Sequence, residues 1–369
     1  MYRQVVLNRT AKLFLGMPYR ARDPPNPGAG SIEMVPHNTA HAWTGDPTSR
    51  FGEDMGNFYS SGRDPIFFAL HSNVDRIWSI WCDKFGTNYT DSDWLNASFL
   101  FYDENQKLVR ATVSDALSIS QLRYAYQDVP IEWINARPTS KRPKGSRASN
   151  DLKKKAVKAA DAFPRSVNNG LIRVIVKRPV INKSRTKKEK EEQPEVLVIE
   201  GIELDAGKTV KFDVLVNDDD ESTMPDKSEF AGSFVNVSHR HAGMEGEMKI
   251  KTSLRLGITE LLEDLGVEDD DELVVTIVPR IGTQNVIIGE EIACGSVMGV
   301  SKAACGARLG AGLGAAPKQY RGATRSCLSA RRISAERGHE CRMRARSAEH
   351  RHAGACDAGE HLAHDEIMP

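Results

Sequence analysis

Three histidines carry the chemistry that this chain could do. His37 and His41 stand four residues apart, so on a helix they share one face, and His71 follows after a loop within the apolar segment 64–78. Three imidazoles from two helical segments can meet around one ion, and imidazole suits zinc, copper, iron and nickel without choosing among them. A pair at this spacing also arises by chance, as two solvated or hydrogen-bonded rings. His71 tips the balance, because its neighbours are apolar and an unsatisfied buried polar group costs roughly 1–3 kcal/mol.

The elements that must position these rings are legible in part. Asp64 is a good N-cap and Pro65 suits a first helical position. From there Phe67, His71, Val74, Trp78 and Trp81 recur at three- and four-residue steps, which predicts a helix with His71 in its buried stripe. Three neighbours have ordinary readings on spacing alone: Glu33 as a helix-start carboxylate, Asn38 as a turn or capping side chain, Phe58 as core. Cys82, the lone cysteine of this part, is expected to be a buried packing residue.

Several motifs together resemble a known family. Pro36-His37-Asn38-Thr39-Ala40-His41, Gly52-Glu53-Asp54-Met55-Gly56-Asn57-Phe58-Tyr59, Arg63-Asp64-Pro65 and His71-Ser72-Asn73-Val74-Asp75-Arg76-Ile77-Trp78 closely resemble the second copper half-site of plant polyphenol oxidases. These are dinuclear copper enzymes of the catechol oxidase and tyrosinase type. Asp93-Trp94-Leu95 is similar to the opening of the family's middle region, Tyr124-Ala125-Tyr126 to its tyrosine motif, and Lys211-Phe212-Asp213-Val214 to the hallmark of its C-terminal domain. The resemblance covers roughly residues 1–290.

By position, the resemblance implies that His37, His41 and His71 are the ligands of one copper, copper B. It implies that Glu33 holds a water near the metal, that Asn38 helps that water act as a base, and that Phe58 is the bulky gate over the copper. One departure stands out: members of the family usually carry a histidine before the third ligand, where this chain has Leu70, which implies altered surroundings rather than a lost ligand. The family holds two coppers per site, each on three histidines, yet no histidine precedes His37 here. Met1-Tyr2-Arg3-Gln4 resembles the interior of the catalytic domain, and nothing reads as a targeting leader. The chain is therefore expected to be truncated, without the copper-A half and its cross-linked cysteine.

Composition is compatible with this reading. The chain has 369 residues, room for two or three domains, and its 50 Lys+Arg balance 50 Asp+Glu, so nothing draws it toward nucleic acid. No apolar run is long enough to span a bilayer. Residues 137–190 are rich in Lys and Arg, and Lys187-Lys188-Glu189-Lys190-Glu191-Glu192 offers nothing to bury, so a solvated, protease-sensitive linker and loop are expected rather than a nucleic-acid surface.

Beyond the linker the period becomes two. Val210, Phe212, Val214 and Val216 alternate with Lys211, Asp213, Leu215 and Asn217, and Met248, Ile250, Thr252 and Leu254 repeat the pattern. Further strands are expected at 171–176, 195–199, 230–237, 273–278 and 285–288, with a helix at 258–265, which suggests a β-sandwich or barrel. His239 and His241, two apart, would face one side of a strand, but no third ligand lies near and a metal role is disfavoured. From about Cys294 the chain changes character: Cys294, Cys305, Cys327, Cys341 and Cys356 lie here without a Cys-x-x-Cys pair, and too little apolar surface remains to offset chain entropy. Disorder is expected, with a reading-frame slip or retained non-coding sequence as its origin.

The expected fold is thus α+β multidomain: a partial α-helical tyrosinase-like copper domain at 1–130, a basic linker at 131–167, a β-sandwich or barrel-like domain at 168–292 that packs on the copper domain, and a disordered tail at 293–369. The resemblance implies oxidation of o-diphenols to o-quinones with reduction of dioxygen, on small phenolic substrates, in the plastid thylakoid lumen, and impaired in this chain. The alternatives are a non-catalytic fragment with a single copper and a mononuclear metal hydrolase. The second is weakened because no Glu lies between His37 and His41, where zinc peptidases carry a general base.

Overall fold

The computed structural model describes residues 1–19, 26–46, 48–49, 52–168, 170–179, 185–240 and 245–296. The expected tail from 297 onward, and His241, lie outside the described residues. No helix among the described residues is long and apolar enough to cross a membrane.

The helical part opens with two short turns, α1 (Tyr2–Val5) and α2 (Ala11–Phe14). A π turn over Glu33–His37 then runs directly into α3 (Asn38–Thr44). Pro36 sits inside that turn and brings no N–H, and the Asn38 N–H reaches back to the Glu33 carbonyl, the wide spacing that defines a π turn. After α4 (Phe58–Ser61) comes the long helix α5 (Ile66–Lys84). Its start is fixed by the Asp64 carboxylate, which accepts from Ile66 N–H at 2.9 Å. Phe67, His71, Val74, Ile77, Trp78 and Trp81 form its buried face, as the stripe in the sequence predicts. Cys82 departs from expectation and is exposed, because it falls about 100° around the helix from buried Trp81; its thiol lies 3.6 Å from Asn88 Oδ1.

Trp81 anchors this helical core. It stacks on Phe14 with ring centroids 4.2 Å apart and donates its indole N–H to the Asn8 carbonyl at 2.8 Å. Beyond it lie α6 (Ser92–Leu95) and an antiparallel hairpin of β1 (Ser98–Tyr102) and β2 (Leu108–Thr112).

The segment expected as a linker is folded against the β-rich part. It carries α7 (Asn150–Lys155), β3 (Val157–Lys158) and β4 (Arg165–Ser166). Its bases meet acids of that part: Arg137 with Asp264 at 2.7 Å, Lys141 with Asp220 at 2.7 Å, Arg142 with Asp218 at 3.2 Å and Arg147 with Asp270 at 2.8 Å. Singly such pairs are worth little, but spread along the segment they fix its path. The charged run at 187–192 is a short helix, α8 (Lys187–Glu192), rather than a loop, since Thr186 and Glu189 form a capping box; it buries nothing.

The β-rich part comprises β5 (Ile172–Lys177), β6 (Glu195–Asp205), β7 (Val210–Val216), β8 (Phe230–Asn236), β9 (Lys249–Gly257), the helix α9 (Thr259–Leu265), β10 (Glu272–Ile281), β11 (Ile287–Ile288) and β12 (Ile292–Ser296). One sheet runs β3-β5-β10-β7-β8; the other runs β12-β6-β11-β4 with β9 on β6, and among these described strands β3 and β5 pair in parallel while the other pairs are antiparallel. Both sheets contribute to one core, with Val174, Phe212, Val214 and Val275 from the first and Leu197, Ile199, Ile202 and Leu254 from the second. Two details differ from the alternating pattern. β8 is buried throughout, and β7 is buried on both faces over most of its length, its Asp213 carboxylate satisfied by Ser233 and Arg280. The last strand runs on through Ser296, so Cys294 is a buried strand residue paired opposite Leu197.

Met34, from the π turn, belongs to the core of the β-rich part, so the two parts pack directly.

Candidate metal centre

The π turn and α3 present His37 and His41 four residues apart, and α5 brings His71 from the other side. Nε2 of His37 lies 2.9 Å from Nε2 of His71 and 3.2 Å from Nε2 of His41. Three nitrogens each about 2.0–2.1 Å from one ion stand roughly 3–3.5 Å apart, so the spacing fits a shared cation. This is the one group of three or more potential metal ligands found among the described residues.

The opposite ring nitrogens decide what the Nε2 atoms can do. Nδ1 of His41 meets the Met55 carbonyl at 2.8 Å, and Nδ1 of His71 meets the Phe67 carbonyl, one helical turn back, at 2.7 Å. A carbonyl only accepts, so both Nδ1 atoms carry the proton. Nδ1 of His37 meets Asn38 Oδ1 at 2.8 Å, and the Asn38 amide nitrogen donates to the Val235 carbonyl on β8 at 2.9 Å. That second bond fixes which end of the amide faces the ring, so His37 also donates through Nδ1. Three neutral imidazoles therefore aim three Nε2 lone pairs at one point, with no proton between them, and a cation is what this geometry accepts.

Burial supports the same state. His41 is fully buried, His71 nearly so and His37 half-buried. Desolvation, then His41 and His71, hold His37 well below its ordinary pKa, partly opposed by Asn38. That ring stays neutral and available.

Glu33 opens the π turn four residues before His37, and burial pushes its carboxyl up to about 7. Phe58 stacks at 6.4 Å from the His37 ring and stands edge-on to His41 at 5.6 Å. Leu70, on α5 itself, packs partly buried against the helical core.

Four partners were not legible in the sequence: the carbonyls of Met55, Phe67 and Val235, and His239. The His239 ring stacks on Phe58 at 4.6 Å, and the Phe58 N–H donates to the Ser238 carbonyl at 3.0 Å. The motif around Phe58 gives no sign of this, because its partner lies far along the chain and main-chain contacts leave no compositional trace. Burial lowers the His239 pKa to about 4, so this ring too is neutral.

Comparison with known proteins agrees with the geometry. Residues 6–84 match the common central domain of tyrosinase, 88–139 the polyphenol oxidase middle domain, and 163–294 the chloroplastic polyphenol oxidase C-terminal domain. The chain is 53% identical over 300 residues to a chloroplastic polyphenol oxidase of Malus domestica, covering 78% of this chain and 50% of that protein. It is 54% identical over 301 residues to a chloroplastic polyphenol oxidase of Vitis vinifera, covering 78% and 48%. The solved structure of latent apple tyrosinase superposes with a TM-score of 0.73 at 53% identity, covering 80% of this chain and 62% of that one. The chain thus spans about half the length of the curated relatives it matches. Its three consecutive domain matches and its identity to these relatives make the chain, whose three-histidine group falls inside the matched central domain, a member of the plant polyphenol oxidase family, whose metal is copper.

Proposed function

We propose that this chain serves the copper-dependent oxidation of o-diphenols to o-quinones with reduction of dioxygen, through one copper held by His37, His41 and His71. The observation that carries this reading is the convergence of three Nε2 lone pairs, each set by a hydrogen bond at the opposite nitrogen. Bound copper supplies a one-electron couple. A diphenol loses two electrons and two protons in becoming a quinone, so a single ion must turn over twice or work beside a second one, and this chain alone should oxidise catechols slowly at best.

The remaining residues take the roles that their match to the family suggests. Asn38 locks the His37 ring and, with Glu33, positions a water. A carboxyl near 7 exchanges its proton around neutrality, which suits Glu33 to receive one from a phenol. Phe58 offers a flat apolar surface beside the rings and controls access. His239 lies on Phe58, so the β-rich part covers the approach, in keeping with the latent state named for the apple relative. Because its relatives are named chloroplastic, we assign the protein to the plastid, in the thylakoid lumen. The division at about 130 and 168 remains our reading of its domains, with the end of the β-rich part moved from 292 to Ser296.

Copper loading tests the proposal. One copper per chain with an electron paramagnetic resonance signal, lost in His71→Ala together with any catechol oxidation, is the expected result. One such copper with no catechol oxidation at all would favour a non-catalytic copper-binding fragment. Preference for zinc with ester or peptide hydrolysis would replace the proposal by a hydrolase.

A further inference from the structure

Between Trp81 and Pro138 the chain forms α6, β1 and β2, yet none of its residues is buried. A two-stranded hairpin is marginal in water unless something covers it. Here Leu100, Tyr102 and Leu108 are 49%, 52% and 54% exposed. β1 reads Ser98-Phe99-Leu100-Phe101-Tyr102, with no charge, proline or glycine, and among the described residues it pairs only with β2. Edge strands are ordinarily blunted by just those residues.

The hydrogen-bond alternation shows what the free edge offers. Asp103 N–H bonds the Lys107 carbonyl at 3.0 Å and Val113 N–H bonds the Ala97 carbonyl at 2.9 Å. Odd-numbered residues of β1 therefore face β2, and the N–H and C=O groups of Ser98, Leu100 and Tyr102 point outward.

Charge decides which partner fits. Laid antiparallel on a second β1 about a two-fold axis at Leu100, the strand sets Leu100 against Leu100, Phe99 against Phe101 and Ser98 against Tyr102, with no charge opposed. β2 laid on itself would centre Arg110 on Arg110, and like charges directly opposite are destabilising. The β1 edge is self-complementary and the β2 edge is not, so the pairing closes at two copies.

We infer that the β1 edge is a homodimer interface, joining two copies in a four-stranded β2-β1-β1-β2 sheet. An edge contact is small beside the roughly 1,200–2,000 Å² of stable interfaces, so the dimer should depend on concentration.

Sedimentation equilibrium on the full chain, with amide hydrogen exchange read at low and high protein concentration, tests this. The expected result is a shift from monomer to dimer, with the amides of Ser98, Leu100 and Tyr102 protected only at high concentration. Leu100→Lys puts two ammonium groups on the axis, and Leu100→Pro removes the central outward N–H without touching the ladder to β2; both should stay monomeric. Leu108→Lys, equally exposed but on β2, should still dimerise. A monomer at every concentration, unprotected edge amides in a dimer, a dimer surviving both Leu100 variants, one lost equally in Leu108→Lys, or assembly beyond two copies would each overturn the inference. Exchange on the unaltered chain needs no variant, so a substitution that fails to fold leaves the test intact.

Discussion

Asn38 orients a ring of the candidate metal centre without being one of its three ligands. Its amide accepts from His37 and donates to Val235, tying one ring to β8. Asn38→Leu should lower copper affinity about 10–100-fold, as loss of a ligand's hydrogen-bond partner ordinarily does, while Asn38→Asp, which still accepts, should lose less; competition against a chelator of known affinity measures both. Glu33 gives a prediction in pH. Its carboxyl rises from 4.5 to about 7 on folding, so between those values the native state holds a proton that the unfolded chain has released. The stability linked to that proton is complete below about 4.5 and is lost as pH rises through 7. Glu33→Gln has no such proton to lose. It should stabilise the metal-free protein at pH 8 by on the order of 1–3 kcal/mol, the lower end allowing for solvent around a half-buried side chain, and have no effect at pH 4. His37 acts with opposite sign: its depressed pKa leaves stability intact above about 6.5 and removes it below, as the unfolded chain takes up the proton first. Urea midpoints of the metal-free protein across this range, with and without Glu33→Gln, separate the two, and equal midpoints at pH 8 would refute the assignment to Glu33.

At the scale of elements, α5 holds His71 in place through a small core: Val5, Phe14, Leu15 and Ile32 on one side, and its own Val74, Ile77, Trp78 and Trp81 on the other. Trp81 is wholly buried, and a Cβ at Gly86 would come within 2.1 Å of its ring, so the ring is closely packed and its loss leaves a cavity. Trp81→Ala should cost about 3–5 kcal/mol and strip copper from the site, read by thermal melts with and without the metal. The same helix shows why parts of the fold were legible. A stripe repeating at three and four residues writes the buried face of an amphipathic helix directly into the sequence, and Phe67, His71, Val74, Trp78 and Trp81 all fall on it. Alternation marked β7 and β9 because each has at least one face on the core. The π turn was not legible, since a wide turn differs from an α turn only in which carbonyl an N–H reaches. Nor was the pinning of 137–147: composition shows that a segment is basic, not that acids await it far along the chain. The exposure of Cys82 was missed for a simpler reason, one position of helical phase.

On the scale of the whole molecule, the metal centre and the β-rich part are built into each other. Met34 lies in the β core, the Val235 N–H is 3.0 Å from its sulfur, Asn38 bonds the Val235 carbonyl, and Asn57 and Phe58 bond the segment after β8. Groups with such shared buried contacts melt together, because opening one part exposes apolar surface and unpaired amides of the other. The chain supplies a means to see this: all five tryptophans, Trp43, Trp78, Trp81, Trp94 and Trp133, precede the β-rich part. Tryptophan fluorescence therefore reports the helical part, and the β-sheet signal in far-ultraviolet circular dichroism reports the other. The two denaturation curves should coincide in the unaltered protein, and copper, which touches only the helical part, should shift both by the same amount through mass action. Met34→Ala, which leaves a cavity at the seam, should cost about 2–5 kcal/mol and split the curves, the β signal persisting after the fluorescence has changed. Two separate transitions in the unaltered protein, or a copper shift confined to fluorescence, would show instead that the β-rich part stands on the site without being coupled to it.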